Sequence, residues 1–305
     1  MNPTLTVVMY HYVRDLPRTR YPEIRGMPLG EFRAQIDRLR AEFEMASLET
    51  ALAFLRNDYH PGRNLCLLTF DDGLKEHYAE VAGMLAERGV QGLFFVITSC
   101  VEERRVAPVH MNHFLTAALG FDKYRHLFLR RLPAGSPSIA EIDSEAVKRA
   151  YRWDSPEAGA FKFLFNFLLA SGVRDEIVRE LFSEHLGDEA EFSRELYFNW
   201  EEAREMQAAG MLIGGHSHGH FSLATLTDAQ QAEDLTNCRR ALDRRLRPQP
   251  RWPFCYPYGK RASFNAATIE LLRELGYDCA FTTEVGDNAP GADLFTIQRF
   301  DCREQ

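Results

Sequence analysis

Short apolar runs alternate along this chain with longer amphipathic segments, and no other feature narrows the fold as much. Residues 5–10 (LTVVMY), 65–70 (LCLLTF) and 92–97 (GLFFVI) are short, apolar and partly β-branched, the composition of strands buried on both faces. Between them, residues 29–43 repeat apolar positions at helical spacing (Phe32, Ile36, Leu39, Phe43), and a second helix is expected over about 74–88. Strands alternating with helices of this length pair in parallel through right-handed crossovers. The alternation stops near Val101. From there to Leu196 the pattern predicts helices (111–119, 140–151, 158–169, 174–186), punctuated by Pro133, Gly135, Pro137 and Pro156, and no convincing strand. It resumes at Trp200 with helices over 200–209, 228–246 and 264–275 and strands over 211–215, 252–256, 279–282 and 295–298. Thr227 with Gln230 three residues on makes a capping box, and Gly276 suits the end of the last helix. The expectation is a single α/β domain over 1–305, with seven or eight parallel strands closing into a barrel. A helical insertion at about 101–198 interrupts it.

Composition limits the partners. With 45% hydrophobic and 26% charged residues, the 305-residue chain has the balance of an ordinary globular protein. The net charge is −8, and the longest basic cluster, Arg244-Arg245-Leu246-Arg247, falls in a helix with acidic neighbours. A nucleic-acid partner is therefore not expected. The opening MNPTLTVVMYHYVRD lacks a basic start and a long apolar stretch, and no window approaches about 18 apolar residues. These features point away from a membrane span and toward the cytoplasm. Six widely spaced cysteines with no C-x-x-C pair read as reduced thiols.

Two segments carry chemistry. Thr69-Phe70-Asp71-Asp72-Gly73 lies at the carboxyl end of a buried strand, where barrels and parallel sheets build their sites. Adjacent carboxylates repel unless a cation intervenes, and a divalent metal would neutralise one while leaving the other free as a base. The competing reading is an N-cap pair for the next helix. The second segment, Gly214-Gly215-His216-Ser217-His218-Gly219-His220, again follows an apolar strand. If it were extended, His216 and His220 would stand about 13 Å apart, at roughly 3.3 Å per residue, and His216 would pair with His218 instead. A turn brings positions i and i+4 within about 6 Å.

TFDDG followed by H-S-x-x-H resembles the first two motifs of the polysaccharide deacetylase (NodB-homology) family, carbohydrate esterase family four. Residues 251–259 (RWPFCYPYG) resemble its third motif in the F-x-Y-P-Y-G form. The start Met9-Tyr10-His11-Tyr12-Val13-Arg14 resembles the Y-H-x-V opening of a bacterial subgroup acting on surface carbohydrates. The resemblance implies a distorted (β/α) barrel and one divalent metal, zinc first, with cobalt, nickel or manganese as alternatives. It assigns the ligands to Asp72, His216 and His220, the catalytic base to Asp71, and an oxyanion-binding backbone N–H to Tyr258. Tyr256, Pro257, His218 and Arg299 are candidate substrate contacts. The implied reaction is hydrolysis of an N-acetyl or other N-acyl group on an amino sugar or glycan. Non-carbohydrate amides or cyclic imides are one alternative, and an inactive carbohydrate-binding scaffold is another.

Two departures stand out. In much of the family the third motif begins with an arginine that steadies the base; Cys255 occupies that place, and Arg251 lies four residues earlier. The late Leu-x-His motif that supplies the general acid is not apparent in residues 294–300 (LFTIQRF), and Arg299 cannot donate a proton at neutral pH. His11 is the best substitute acid, with His218 next. In the insertion, His110 and His113 sit at helical spacing and read as one helix face rather than a second metal site. Phe161, Phe163, Phe165 and Phe167 form a core or homo-oligomer contact. The insertion is expected to cap the barrel mouth and set substrate choice.

Overall fold

The computed structural model describes residues 3–151 and 154–305. In chain order its strands are β1 (Leu5–Tyr10), β2 (Val13–Arg14), β3 (Met27–Pro28), β4 (Glu44–Met45), β5 (Leu65–Phe70), β6 (Gly92–Val96), β7 (Leu212–Gly215), β8 (Pro253–Cys255), β9 (Cys279–Phe281) and β10 (Phe300–Asp301). Seven form a curled, wholly parallel sheet in the order β10-β1-β5-β6-β7-β8-β9, with β4 added beside β5. This is the distorted (β/α) barrel that the alternation predicts.

β1 and β5 match the expected spans, and all six residues of each are buried. Their period of two sorts side chains onto two faces. Val8, Tyr10, Cys66, Leu68 and Phe70 pack outward with Phe32, Ile36 and Leu39 of the helix Leu29–Glu42. Leu5, Val7, Leu65 and Leu67 point to the inner side, with Leu48, Leu52 and Leu55 of the helix Leu48–Leu55. Burying each such side chain contributes about 1.5–3 kcal/mol. Thr69 and Asp71 continue the inner series, so the strand delivers the first acidic residue to the interior.

The C-terminal segment differs from expectation. Residues 295–298 are not a strand; Ile297 alone bridges Phe281, and β10 begins at Phe300, paired to β1 through Val8. The segment thus touches β9 and β1 in turn and carries Arg299 between them. The helix expected over 74–88 is a π-helical turn, His77–Ala82, continued by the α-helix Gly83–Glu87.

The chain divides into two compact units. The barrel unit comprises residues up to Thr19, Arg25–Arg105 and Ser193–Gln305; the second comprises Arg20–Ile24 and Val106–Phe192. No strand occurs among the described residues of the second unit. Its core is aromatic: Phe161 meets Tyr124 and Phe128 edge-on, each at 5.5 Å between ring centroids, and Phe165 is fully buried beside them. Phe161 and Phe165 are therefore core, while Phe163 and Phe167 are half-buried. His110 and His113 lie 6.2 Å apart between ring centroids and belong to no three-residue ligand set among the described residues.

All six cysteines are free and five are buried. Among the described residues no helix is long and apolar enough to cross a membrane.

Candidate functional site

The carboxyl ends of β5 and β7 present Asp72, His216 and His220 to a common point. Asp72 Oδ1 lies 3.4 Å from His216 Nε2 and 3.6 Å from His220 Nε2, and all three residues are buried. Ligands bound to one tetrahedral ion at about 2.0–2.1 Å stand about 3.3–3.4 Å from one another, so the spacing fits a zinc-like cation. Electrostatics agrees. Burial disfavours charge on His216, yet Cys255, Asp72 and Asp71 outweigh it and raise its pKa well above the ordinary value. The cluster calls for positive charge that a metal ion would supply, leaving the imidazole neutral.

Left-handed backbone makes this geometry. Asp72 has φ +79°, followed by Gly73 at +69°, so the chain turns sharply there. A Cβ on Gly73 would also come 3.1 Å from Val96 Cγ2. Ser217 and His220 have φ +60° and +56°, and this turn brings the His216 and His220 rings to 4.9 Å. The turned conformation, with i and i+4 together, is the one adopted.

Such strain persists only where surrounding contacts over-determine it. Asp234, 7% exposed on the helix Asp228–Arg245, accepts from the amides of His218 (2.9 Å) and Gly219 (2.7 Å). Ser217 Oγ accepts from the His220 amide at 2.8 Å. The amides of Thr98 and Ser99 donate to the Ser217 and His218 carbonyls. His218 is not a ligand. Its ring nitrogens lie 2.9 Å from Thr98 Oγ1 and 3.0 Å from Glu103 Oε1, so it braces the loop rather than reaching a substrate.

Asp71 stays outside the ligand set Asp72–His216–His220. Arg299 grips it with two parallel bonds, Nη1 to Oδ1 and Nη2 to Oδ2, both 2.8 Å. The remaining donors of Arg299 go to Thr282 O (2.7 Å), Thr69 Oγ1 (3.1 Å) and Cys255 Sγ (3.0 Å). All five N–H groups are therefore used inside the barrel. Burial alone would push the Asp71 carboxyl up; the charge and hydrogen bonds of Arg299, with His11 and His216, bring it down to about 2. This corrects the reading of Arg299 as a substrate contact, because its side chain is 0% exposed and all its donors are used inside the barrel. It also answers the first departure. Arg251 is occupied by Glu49 and Asp278, and the guanidinium arrives instead from the segment that precedes β10.

His11, at the end of β1, lies 3.7 Å from Asp71 Oδ2 through Nε2, with 42% of its side chain exposed. Half-buried Tyr258 (φ +61°) brings its ring to 5.1 Å from that of His220. Its carbonyl accepts from Thr283 Oγ1 at 2.8 Å. Tyr256 and Pro257 are buried. Tyr256 stacks on Phe264 at 3.9 Å and donates its hydroxyl to Phe295 O at 3.0 Å, so its side chain serves the core and not a substrate.

The family's sequence profile, described as polysaccharide deacetylase, matches residues 58–138 and 167–280. The chain belongs to the polysaccharide deacetylase family. The matched stretches contain Asp71, Asp72, His216, His220 and Tyr258; His11 and Arg299 fall outside them. A putative polysaccharide deacetylase, YxkH of Bacillus subtilis, is 26% identical over 99 residues, 32% of this chain and 34% of that protein. The chain thus aligns with about a third of that curated relative.

Solved structures share the fold. IcaB of Ammonifex degensii superposes with TM-score 0.59 at 22% identity, covering 98% of this chain and 91% of that one. The Streptococcus pyogenes deacetylase PplD, in complex with acetate, gives 0.58 at 15% identity over 99% and 93%. The BpsB deacetylase domain of Bordetella bronchiseptica gives 0.56 at 17% over 98% and 95%.

Proposed function

We propose that this polysaccharide deacetylase family member is a metal-dependent hydrolase that removes an N-acetyl or other N-acyl group from an amino sugar or glycan. One observation carries the reading: a buried carboxylate, Asp71, held ionised beside, but outside, a buried Asp–His–His set spaced for one cation. The ligand set suits zinc first, and cobalt, nickel or manganese by the same nitrogen and oxygen donors. When bound, such an ion supplies Lewis-acid chemistry toward the acyl carbonyl and the attacking water.

The chain's own residues do the rest. Asp71 takes the proton of the water that adds to the carbonyl carbon. Its grip by Arg299 lowers its proton affinity but fixes both oxygens in space. The backbone N–H of Tyr258 donates to the developing oxyanion, a contact of the kind whose loss costs about 3 kcal/mol. His11 delivers a proton to the nitrogen as the C–N bond breaks, releasing a carboxylate and a free amine. His11 suits this because it is a partly exposed titratable group 3.7 Å from Asp71 Oδ2.

Acetate release from N-acetylglucosamine oligomers, with metal content measured on the same samples, tests the reading. Asp71→Asn is expected to keep its metal and lose about a thousandfold in turnover, whereas Asp72→Ala loses both. Ring opening of cyclic imides without acetate release from any N-acetylated sugar would move the substrate to the imide class. Undiminished turnover in Asp71→Asn would end the proposal.

A further inference from the structure

The turn that presents His11 is held in an uneven way. The carbonyls on either side of it are taken by main-chain amides, Tyr10 O by Asp71 N at 2.9 Å and Tyr12 O by Met27 N at 2.8 Å. The carbonyl of His11 itself is held by a side chain, His77 Nε2 at 2.7 Å. His77 is 0% exposed, on the first turn after the Asp-Asp-Gly segment, with its ring 5.6 Å from Phe70 and 5.7 Å from Phe94. An Nε2 facing a carbonyl carries the hydrogen, which leaves Nδ1 as a bare acceptor. Among the described residues that buried Nδ1 meets no hydrogen-bond donor. Burial pushes the His77 pKa down to about 4, so the ring is neutral near pH 7. The preceding residue, Glu76, binds Arg14 Nη2 at 2.6 Å and Nε at 2.8 Å. Two consecutive side chains therefore grip the turn at His11 and at Arg14.

Packing does not account for an imidazole here. A leucine or phenylalanine would fill the space between Phe70 and Phe94 without burying an unsatisfied nitrogen, which costs about 1–3 kcal/mol. What histidine adds is the N–H that reaches the His11 carbonyl.

We propose that His77 is a positioning residue, fixing the main chain at His11 so that the imidazole of His11 is aimed at the leaving nitrogen. The inference rests on the general-acid reading of His11 and assigns it a dedicated support. The Asp-Asp-Gly segment then organises both halves of the chemistry: Asp71 and Asp72 directly, and the acid through the residue one turn later.

Leaving-group dependence tests it. The amine of an N-acetylglucosamine oligomer departs only with a proton; the phenolate of para-nitrophenyl acetate departs without one. With metal-loaded enzyme, His77→Leu is expected to slow the amide at least about tenfold and the ester less than about twofold. His77→Gln returns an N–H donor and is expected to recover most of the amide activity. His77→Asn, whose amide stops short of the carbonyl, reads the same contrast should the leucine variant not fold. His11→Ala, run in parallel, separates the two ideas. If it slows both substrates alike, the acid role fails and the support role with it. If His11→Ala is selective for the amide while the His77 variants slow both substrates equally, or neither, the positioning role alone is overturned.

Discussion

Arg299 and Asp71 form a buried pair in which every guanidinium donor is satisfied, and such pairs are costly to break from one side. Removing one partner leaves an unpaired buried charge, at about 3–5 kcal/mol. Arg299→Ala is accordingly expected to lower the urea midpoint and to abolish turnover; Arg299→Lys keeps the charge but loses the two-pronged grip, and is expected to fold better than it catalyses. Cys255 Sγ is 3.0 Å from Arg299 Nη2, so an arginine at 255 would reach the same volume. The double variant Cys255→Arg/Arg299→Ala is expected to regain at least about tenfold of the lost kcat; no gain would show that the strand of origin matters as well as the charge. A second residue-scale prediction follows from His77. Its folded pKa of about 4 lies below the ordinary 6.5, so its stabilising contribution is complete above 6.5 and is lost as pH falls toward 4. By linkage, about 2 kcal/mol is gone by about pH 5. Urea unfolding at about pH 7 and about pH 5 should show that much more acid sensitivity in the parent than in His77→Gln. Of these two residues, Arg299 left a trace in the sequence, a lone charge in the apolar run FTIQRF, but no local pattern names its partner. His77 left none.

Most strands and helices of the barrel unit lie within about two residues of the expected spans, whereas in residues 101–198 the expected helices start up to four residues away and the helices Phe121–Leu129 and Glu189–Leu196 were not expected. β1 and β5 coincide with the predicted runs, and the Thr227–Gln230 capping box starts the helix Asp228–Arg245 as expected. The helix Leu48–Leu55 escaped despite a Ser47 cap that accepts from Thr50 N, because eight residues give too few turns for a clear period. The strand expected over 295–298 failed for another reason: its apolar residues face the core while its main chain bridges two neighbours in turn. The ligand loop is the element most dependent on its surroundings. Asp234→Asn is expected to replace an acceptor with a donor that clashes with the His218 or Gly219 amide, loosening the loop that carries His216 and His220. Metal affinity, measured by chelator competition, is expected to fall about 10–100-fold. An unchanged affinity together with a lowered thermal midpoint would reassign Asp234 to general scaffolding.

At the scale of the molecule, an ion held by Asp72, His216 and His220 would couple metal binding to folding, since these residues come from loops after β5 and β7 that only the folded barrel brings together. Free zinc at about a hundred times its Kd is expected to stabilise the fold by about 2.7 kcal/mol, a rise of about 5 °C in thermal midpoint, and Asp72→Ala is expected to abolish the response. The sequence by itself determined the parallel α/β class, the buried strands β1 and β5, and the candidates Asp71, Asp72, His216 and His220. Those follow from short-range periodicity and from motifs only a few residues long. Only the tertiary structure decided that Arg299 rather than Arg251 reaches Asp71, that His218 braces the loop, and that Tyr256 and Pro257 belong to the core. The physical reason is that a hydrophobic pattern records which face a residue takes but not which strand will lie alongside it. That assignment waits for the sheet to curl, when the segment before β10 enters between β9 and β1.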